Sequence, residues 1–262
     1  MAIGSKIETR GHIVGFREEI QAASGKSADD FFTWFDSAAD ADASFVRGQW
    51  DFSLHIAPFI AKYVPQPETK TILEIGYGGG RILAAAARSF RGAVGVDIHD
   101  EAGRVKEELA ARGVRNVELF KCDGATWPCP DASVDAVYTF IVLQHVEKIA
   151  IWKSCIEETA RVLKPGGVAM LYFGRWAPVS LNRALPLAYW AERLTERFFL
   201  PQGYKELQAH VNDTNLHVTL SFARKTLREA GFRVLDTTVS RKKVPDGLHQ
   251  FGSQHGLLVQ KI

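Results

Sequence analysis

Residues 70–97 read KTILEIGYGGGRILAAAARSFRGAVGVD, and this stretch decides the fold. Thr71 to Ile75 forms a short apolar strand. Gly76, Gly78, Gly79 and Gly80 make a glycine-rich turn, about Gly79 to Phe90 is an alanine-rich helix, and about Ala93 to Val96 is a second strand ending on the acid Asp97. Strand, glycine turn, helix and strand in that order make the first half of a nucleotide-binding α/β unit. Glycines let a backbone turn sharply and come close to a ligand, while a helix start offers unpaired N–H groups. Asp97, at the carboxyl end of the second strand, stands where a carboxylate accepts hydrogen bonds from ribose hydroxyls.

The alternation continues downstream. A helix over about Glu101 to Arg112 stops at Gly113, and strands follow at Val117 to Lys121 and Val134 to Thr139. Ile149, Trp152, Ile156, Ala160 and Leu163 mark one face of a longer helix. Lys164-Pro165-Gly166-Gly167 then forces a turn into the apolar strand Val168 to Phe173. A helix over about Ser221 to Ala230, a strand from Phe232 to Val239, a basic loop with Arg241, Lys242 and Lys243, and a last strand from Leu257 to Lys261 complete the chain. No helical period separates those two strands, so they pair antiparallel. The pattern predicts a doubly wound, Rossmann-like α/β sheet of seven strands, mostly parallel, with an antiparallel last strand and helices on both faces.

Two segments lie outside this alternation. Residues 1–66 are expected to form an N-terminal helical extension or lid. The first 26 are a polar lead-in, and helix runs from an N-cap at Ser27 along a face through Trp50, Leu54, Ala57, Ile60 and Ala61, interrupted by Pro58. Phe31, Phe32, Trp34, Phe35 and Trp50 are read as core packing, or as the wall of an acceptor pocket. Within the main domain, 67–262, the segment from about 175 to 218 is too long for a connection and is read as a helical cap. Its aromatics (Trp176, Tyr189, Trp190, Phe198, Phe199 and Tyr204) pack the cap down or face a partly apolar acceptor, and Arg175, Arg183, Arg193 and Arg197 are read as a solvated helix face rather than a phosphate clamp.

The formal net charge of +2 does not point to a polyanionic partner, so nucleic acid is not expected. Three cysteines, Cys122, Cys129 and Cys155, show no metal-type spacing and suit a reducing cytoplasm, the expected location. No run approaches the roughly 18 apolar residues of a membrane span. No metal site and no membrane contact are expected, and a homodimer is open.

Four landmarks carry a resemblance. They are Leu73-Glu74-Ile75-Gly76-Tyr77-Gly78-Gly79-Gly80, then Asp97-Ile98, then Cys122-Asp123-Gly124, and finally Arg161-Val162-Leu163-Lys164-Pro165-Gly166-Gly167. In that order and register the chain resembles the class I S-adenosylmethionine-dependent methyltransferase family over about Thr71 to Gly174. The resemblance implies S-adenosylmethionine as cofactor and S-adenosylhomocysteine as product. It implies that Glu74, Gly76, Tyr77, Gly78 and Gly80 hold the methionine end, Asp97 the ribose, and Ile98, Asp123 and Gly124 the adenine, with Phe140 also at the cofactor. NAD fits poorly, because the last small position of its fingerprint holds Arg81 when counted from Gly76 and Leu83 when counted from Gly78. The acidic motif of spermidine-synthase-like aminopropyl transferases is not visible.

Gln144 and His145 follow the fourth strand at the carboxyl edge of the sheet and are the catalytic candidates. His145 could take a proton from an acceptor hydroxyl, or it could cap a helix or bind backbone. His55, His99, His210 and His217 have weaker claims. Cys129, in Pro128-Cys129-Pro130, is similar to the nucleophile of cytosine-C5 methyltransferases but follows the third strand, so it is read as a loop cysteine. The expected function is methyl transfer to an oxygen or nitrogen of a small molecule. The alternative is a cofactor-binding regulatory or assembly subunit without turnover.

Overall fold

The computed structural model describes residues 16–176, 186–207, 213–243 and 249–262. Among these, the strands in chain order are β1 (Thr71–Ile75), β2 (Gly92–Asp97), β3 (Val117–Lys121), β4 (Val134–Thr139), β5 (Leu163–Gly174), β6 (Tyr204–Glu206), β7 (Leu216–Val218), β8 (Phe232–Lys243) and β9 (His249–Lys261). Seven of them form one sheet in the order β3-β2-β1-β4-β5-β9-β8, and β6 and β7 pair separately. Pairing is parallel from β3 to β5, and β9 runs antiparallel to both β5 and β8. The expected mostly parallel seven-stranded sheet with an antiparallel last strand is therefore observed. The strand order reverses between β1 and β4, the position at which sheets of this class bind ligands beyond the strands' carboxyl ends.

Both faces of the sheet are covered, which is why its strands read as apolar runs. Alternation along each strand sends Ile72, Ala136, Tyr138, Met170 and Tyr172 into one core, and Leu73, Val137, Ala169, Leu171 and Phe173 into the other. The first core is closed by helices α1 (Phe16–Ser24), α2 (Ala28–Trp34), α3 (Ala41–Asp51), α4 (Ala57–Ile60), α5 (Arg81–Ala87) and α6 (Ala102–Ala111). The second is closed by α7 (Ile149–Val162) and α9 (Leu220–Glu229), with Trp152 fully buried. Between them in sequence, α8 (Pro186–Phe199) lies in the segment read as a cap.

Several local expectations change. Part of the lead-in is helix α1, and Ile20 on it is fully buried. Ser27 does cap α2, accepting the Asp30 N–H at 3.0 Å. The N-terminal helix is not continuous, because a π-helical segment, Phe52–Ile56, separates α3 from α4. The buried face runs through Phe45, Gly48, Phe52, His55, Ile56 and Ile60 rather than through Trp50, which is half exposed. Lys164–Gly167 is not a turn ahead of β5 but a bulge inside it, where the pairing steps from Val134–Leu163 to Ala136–Val168. Arg241, Lys242 and Lys243 belong to β8 rather than to a loop, their backbones pairing with Phe251, Gln250 and His249. The cap segment includes the β6–β7 pair as well as helix. His210 and Arg183 lie outside the described residues.

Candidate active site

The site is built where β1 ends in its glycine turn. Gly76 N–H donates to Val96 O at 2.8 Å and Gly80 N–H to Tyr77 O at 2.7 Å, so the turn is stitched to β2 and closed on itself. Gly76 has φ +74°, and a Cβ there would stand 2.5 Å from Val142 Cγ2; only glycine satisfies both conditions.

Asp97 locks this turn. Its Oδ2 accepts the Gly78 N–H at 2.7 Å and its Oδ1 the Ile98 N–H at 2.7 Å. Each carboxylate oxygen has a second lone pair, the capacity needed for a ligand hydroxyl. His99 braces the same turn. Its Nε2–H donates to Gly78 O at 3.0 Å, a tautomer inferred from Nδ1 accepting the Glu101 N–H at 3.1 Å. Its ring packs edge-on against Tyr77 and Phe31.

Glu74 is buried at the floor, where its Oε2 accepts the Tyr138 hydroxyl at 2.8 Å. Burial pushes its carboxyl well above the usual carboxylate range, while the Tyr138 bond and the Arg81 charge pull the other way. Arg81, 8% exposed, places Nη1 2.5 Å from Asp51 Oδ2 and Nε 3.6 Å from Asp36 Oδ2. The residue that argues against NAD thus fastens the glycine turn to the N-terminal helices, and Trp34 and Phe35 reach the cleft beside it.

The cleft is lined chiefly by apolar surface. Of the expected residues, Glu74, Gly76, Tyr77, Gly78, Asp97, Ile98, Gly124, Phe140 and His145 line it together. Gly80, Asp123 and Gln144 are not among its lining residues. Gly80 is the N-cap position of α5, and Asp123 Oδ1 takes the N–H groups of Ala125 and Thr126 and the Thr126 hydroxyl at 2.7–2.9 Å. Sequence reasoning missed Trp127, Cys155 and Arg81 as lining residues. Trp127 had a signal in its place just after Cys122-Asp123-Gly124, whereas Cys155 comes from α7 and only the folded chain brings it there. Burial pushes the Cys155 thiol up to about 12 and the Cys129 thiol up to about 11, so neither is a nucleophile at neutral pH.

At the end of β4, Ile141 takes φ +60°, and its N–H donates to Gln254 Oε1 at 3.0 Å. A β-branched residue in that region is strained and needs such an anchor. Four residues on, His145 Nδ1–H donates to Asp213 O at 2.7 Å, while Nε2 faces the Gln144 amide at 3.1 Å and accepts from it. Burial holds this imidazole below its ordinary value, so it is neutral at pH 7, with the Asp213 carbonyl opposing the shift. His55 stacks on Phe140 at 4.3 Å, and His217 sits on β7, where burial lowers it to about 4. Among the described residues no group of three or more His, Cys, Asp or Glu could hold a metal ion, and no helix is long and apolar enough to cross a membrane.

A family model described as a methyltransferase domain matches residues 72–167, the span from β1 through the start of β5. Residues 72–167 carry a methyltransferase domain of the class I S-adenosylmethionine-dependent type. A probable S-adenosylmethionine-dependent methyltransferase of Mycolicibacterium smegmatis is 34% identical over 120 residues, covering 45% of this chain and 43% of that protein. A tRNA (guanine-N(7)-)-methyltransferase of Hydrogenovibrio crunogenus is 31% identical over 111 residues, covering 38% of this chain and 46% of that one. The chain thus spans less than half the length of these curated relatives. A SAM-dependent methyltransferase structure from Methanosarcina mazei superposes with a TM-score of 0.55 at 25% identity, covering 80% of this chain and 99% of that one. The donor set of the cleft fits that family's cofactor. A carboxylate pre-oriented by two backbone N–H groups stands with the apolar side chains of Ile98 and Trp127, and the glycine turn and Glu74 line the same cleft.

Proposed function

We propose that this methyltransferase moves a methyl group from S-adenosylmethionine to an oxygen or nitrogen of a small-molecule acceptor. The observation that carries the proposal is that His145, a neutral imidazole held in one tautomer, lines the same cleft as the glycine turn and Asp97. S-adenosylmethionine, when bound, supplies a methyl already activated on sulfonium, because a neutral thioether is the leaving group. The protein has to supply alignment, exclusion of water and, for a hydroxyl, removal of one proton.

In this proposal Glu74, Gly76, Tyr77, Gly78 and Gly80 shape the methionine end, Asp97 holds the ribose, and Ile98, Asp123 and Gly124 border the adenine. Phe140 lies at the reacting end, where His145 Nε2 takes the acceptor's proton after the Gln144 amide turns away. Residues 1–66 serve as a lid that brings Trp34 and Phe35 over the main domain, 67–262, and the segment at about 175–218 caps the other side. The net charge of +2 and the apolar, aromatic-lined cleft support a small acceptor over a nucleic acid.

The test is incubation with methyl-labelled S-adenosylmethionine and either a metabolite extract or tRNA, with mass spectrometry of whatever becomes labelled. Label in a small metabolite is expected. Label in tRNA, the acceptor in the names of several relatives, would replace the small-molecule proposal. Binding with no labelled product would favour the regulatory or assembly subunit. His145→Ala should lower turnover about 100-fold or more at unchanged cofactor affinity, and the wild-type rate should fall only on acidification, as the imidazole gains its proton. Full activity in that variant would remove His145 as base.

A further inference from the structure

Helix α8 is amphipathic in the reverse sense. Its acids point inward. Glu192 accepts from Arg175 Nη1 at 2.6 Å, and Glu196 accepts from Arg193 Nη1 at 2.6 Å and lies 3.6 Å from His255 Nε2. Both glutamates are less than 10% exposed, as are Arg175 and His255. Its large apolar side chains point outward, with Leu187 84%, Trp190 60%, Leu194 72%, Phe198 69% and Phe199 61% exposed. Leu187, Trp190, Leu194 and Phe198 recur at intervals of three, four and four residues, so they form a single stripe along the 14-residue helix. Of the nine exposed large hydrophobic residues among the described ones, five are on this helix, which concentrates the exposure rather than scattering it.

We infer that this stripe is a homodimer interface, covered in solution by α8 of a second copy of the chain. The area is the first reason. Buried aromatics each cover about 150–250 Å², so three of them and two leucines at these exposures present roughly 600 Å² of apolar surface. That is at the top of the roughly 300–600 Å² of the largest patch on a monomer and is most of the ~800 Å² that a standard interface takes from each partner. Trp176, stacked on Phe199 at 4.6 Å, extends it.

Charge is the second reason. The ion pairs of α8 are spent inside the molecule, leaving Arg197, packed against Phe198, as the charged side chain beside the stripe. A helix that lies on anionic lipid carries several Lys or Arg on its polar face, which α8 does not. An apolar stripe with one cation needs no complementary charge from its partner, and across a two-fold axis the same stripe meets itself. Trp190 and Leu194 lie mid-stripe, where the binding energy of such an interface concentrates.

The inference does not depend on the methyltransferase activity and is tested by oligomeric state. Light scattering after size exclusion of the full chain at micromolar concentration should give twice the 29.1 kDa protomer mass. Leu194→Glu should give the protomer mass, with the dimer dissociation constant raised at least about 100-fold, while circular dichroism and S-adenosylmethionine binding stay as in wild type. Val46→Glu, at an exposed apolar site on α3, should remain dimeric. Should Leu194→Glu fail to fold, Trp190→Ser makes the same test with a smaller perturbation. A monomeric wild type, a dimer that survives the α8 substitutions, or a monomer that co-sediments with phosphatidylserine vesicles would each overturn the inference.

Discussion

Asp97 is fixed by the fold in the position where the proposal has it serve the ligand. Its two oxygens satisfy the N–H groups of Gly78 and Ile98, so the carboxylate is oriented before any ligand arrives. Hydrogen bonds to a charged group are worth about 1.5–3 kcal/mol each, and on the proposed ribose assignment Asp97→Ala gives up those to the ligand as well as the support of the turn. S-adenosylmethionine affinity in that variant should fall by about 100-fold or more in a calorimetric titration, and an unchanged affinity would remove the ribose assignment. Asp97 was legible in the sequence because the spacing from the glycine turn is set by the βαβ unit itself. The brace at His99 was not, since its partners Gly78 and Glu101 depend on the path of the loop after β2. Asp123 was legible as a position but not as a conformation, because an aspartate that starts a turn bonds its own backbone first.

At the scale of elements, the close crossing of α3 on α5 holds the N-terminal helices to the glycine turn. Gly48 makes this possible, because a Cβ there would overlap the backbone of Arg81. Alanine is the better helix former by about 0.8–1 kcal/mol, but overpacking a tight contact costs about 1–3 kcal/mol. Gly48→Ala is therefore expected to lower stability in urea denaturation, and a more stable variant would show that the two helices separate easily. The crossing was hidden in the sequence because the apolar positions through Trp50, Leu54 and Ala57 suggest one face, while the face that packs runs through Phe45, Gly48 and Phe52 at the same helical spacing. In α8 the periodicity was legible but its polarity was not. A sequence shows that one side is apolar and the other charged, whereas here Arg175 and His255 draw the charged side inward.

For the whole molecule, the alternation of apolar strands with helices was enough to read the central sheet, and the order β3-β2-β1-β4-β5-β9-β8 is its outcome. The ends of β8 and β9 were harder, since polar residues extend a hairpin whose pairing is driven by backbone. The proposed acceptor side was least legible, because the proposal draws on Trp34 and Phe35 from one end of the chain and on the segment at about 175–218 from the other. The central claim is that this assembly forms a site for S-adenosylmethionine and not for a nicotinamide dinucleotide. Titration calorimetry of the full chain with S-adenosylmethionine, S-adenosylhomocysteine and NAD tests it most directly. The first two should bind one per chain and NAD should give no heat of binding. Binding of NAD, or of none of the three, would contradict the claim.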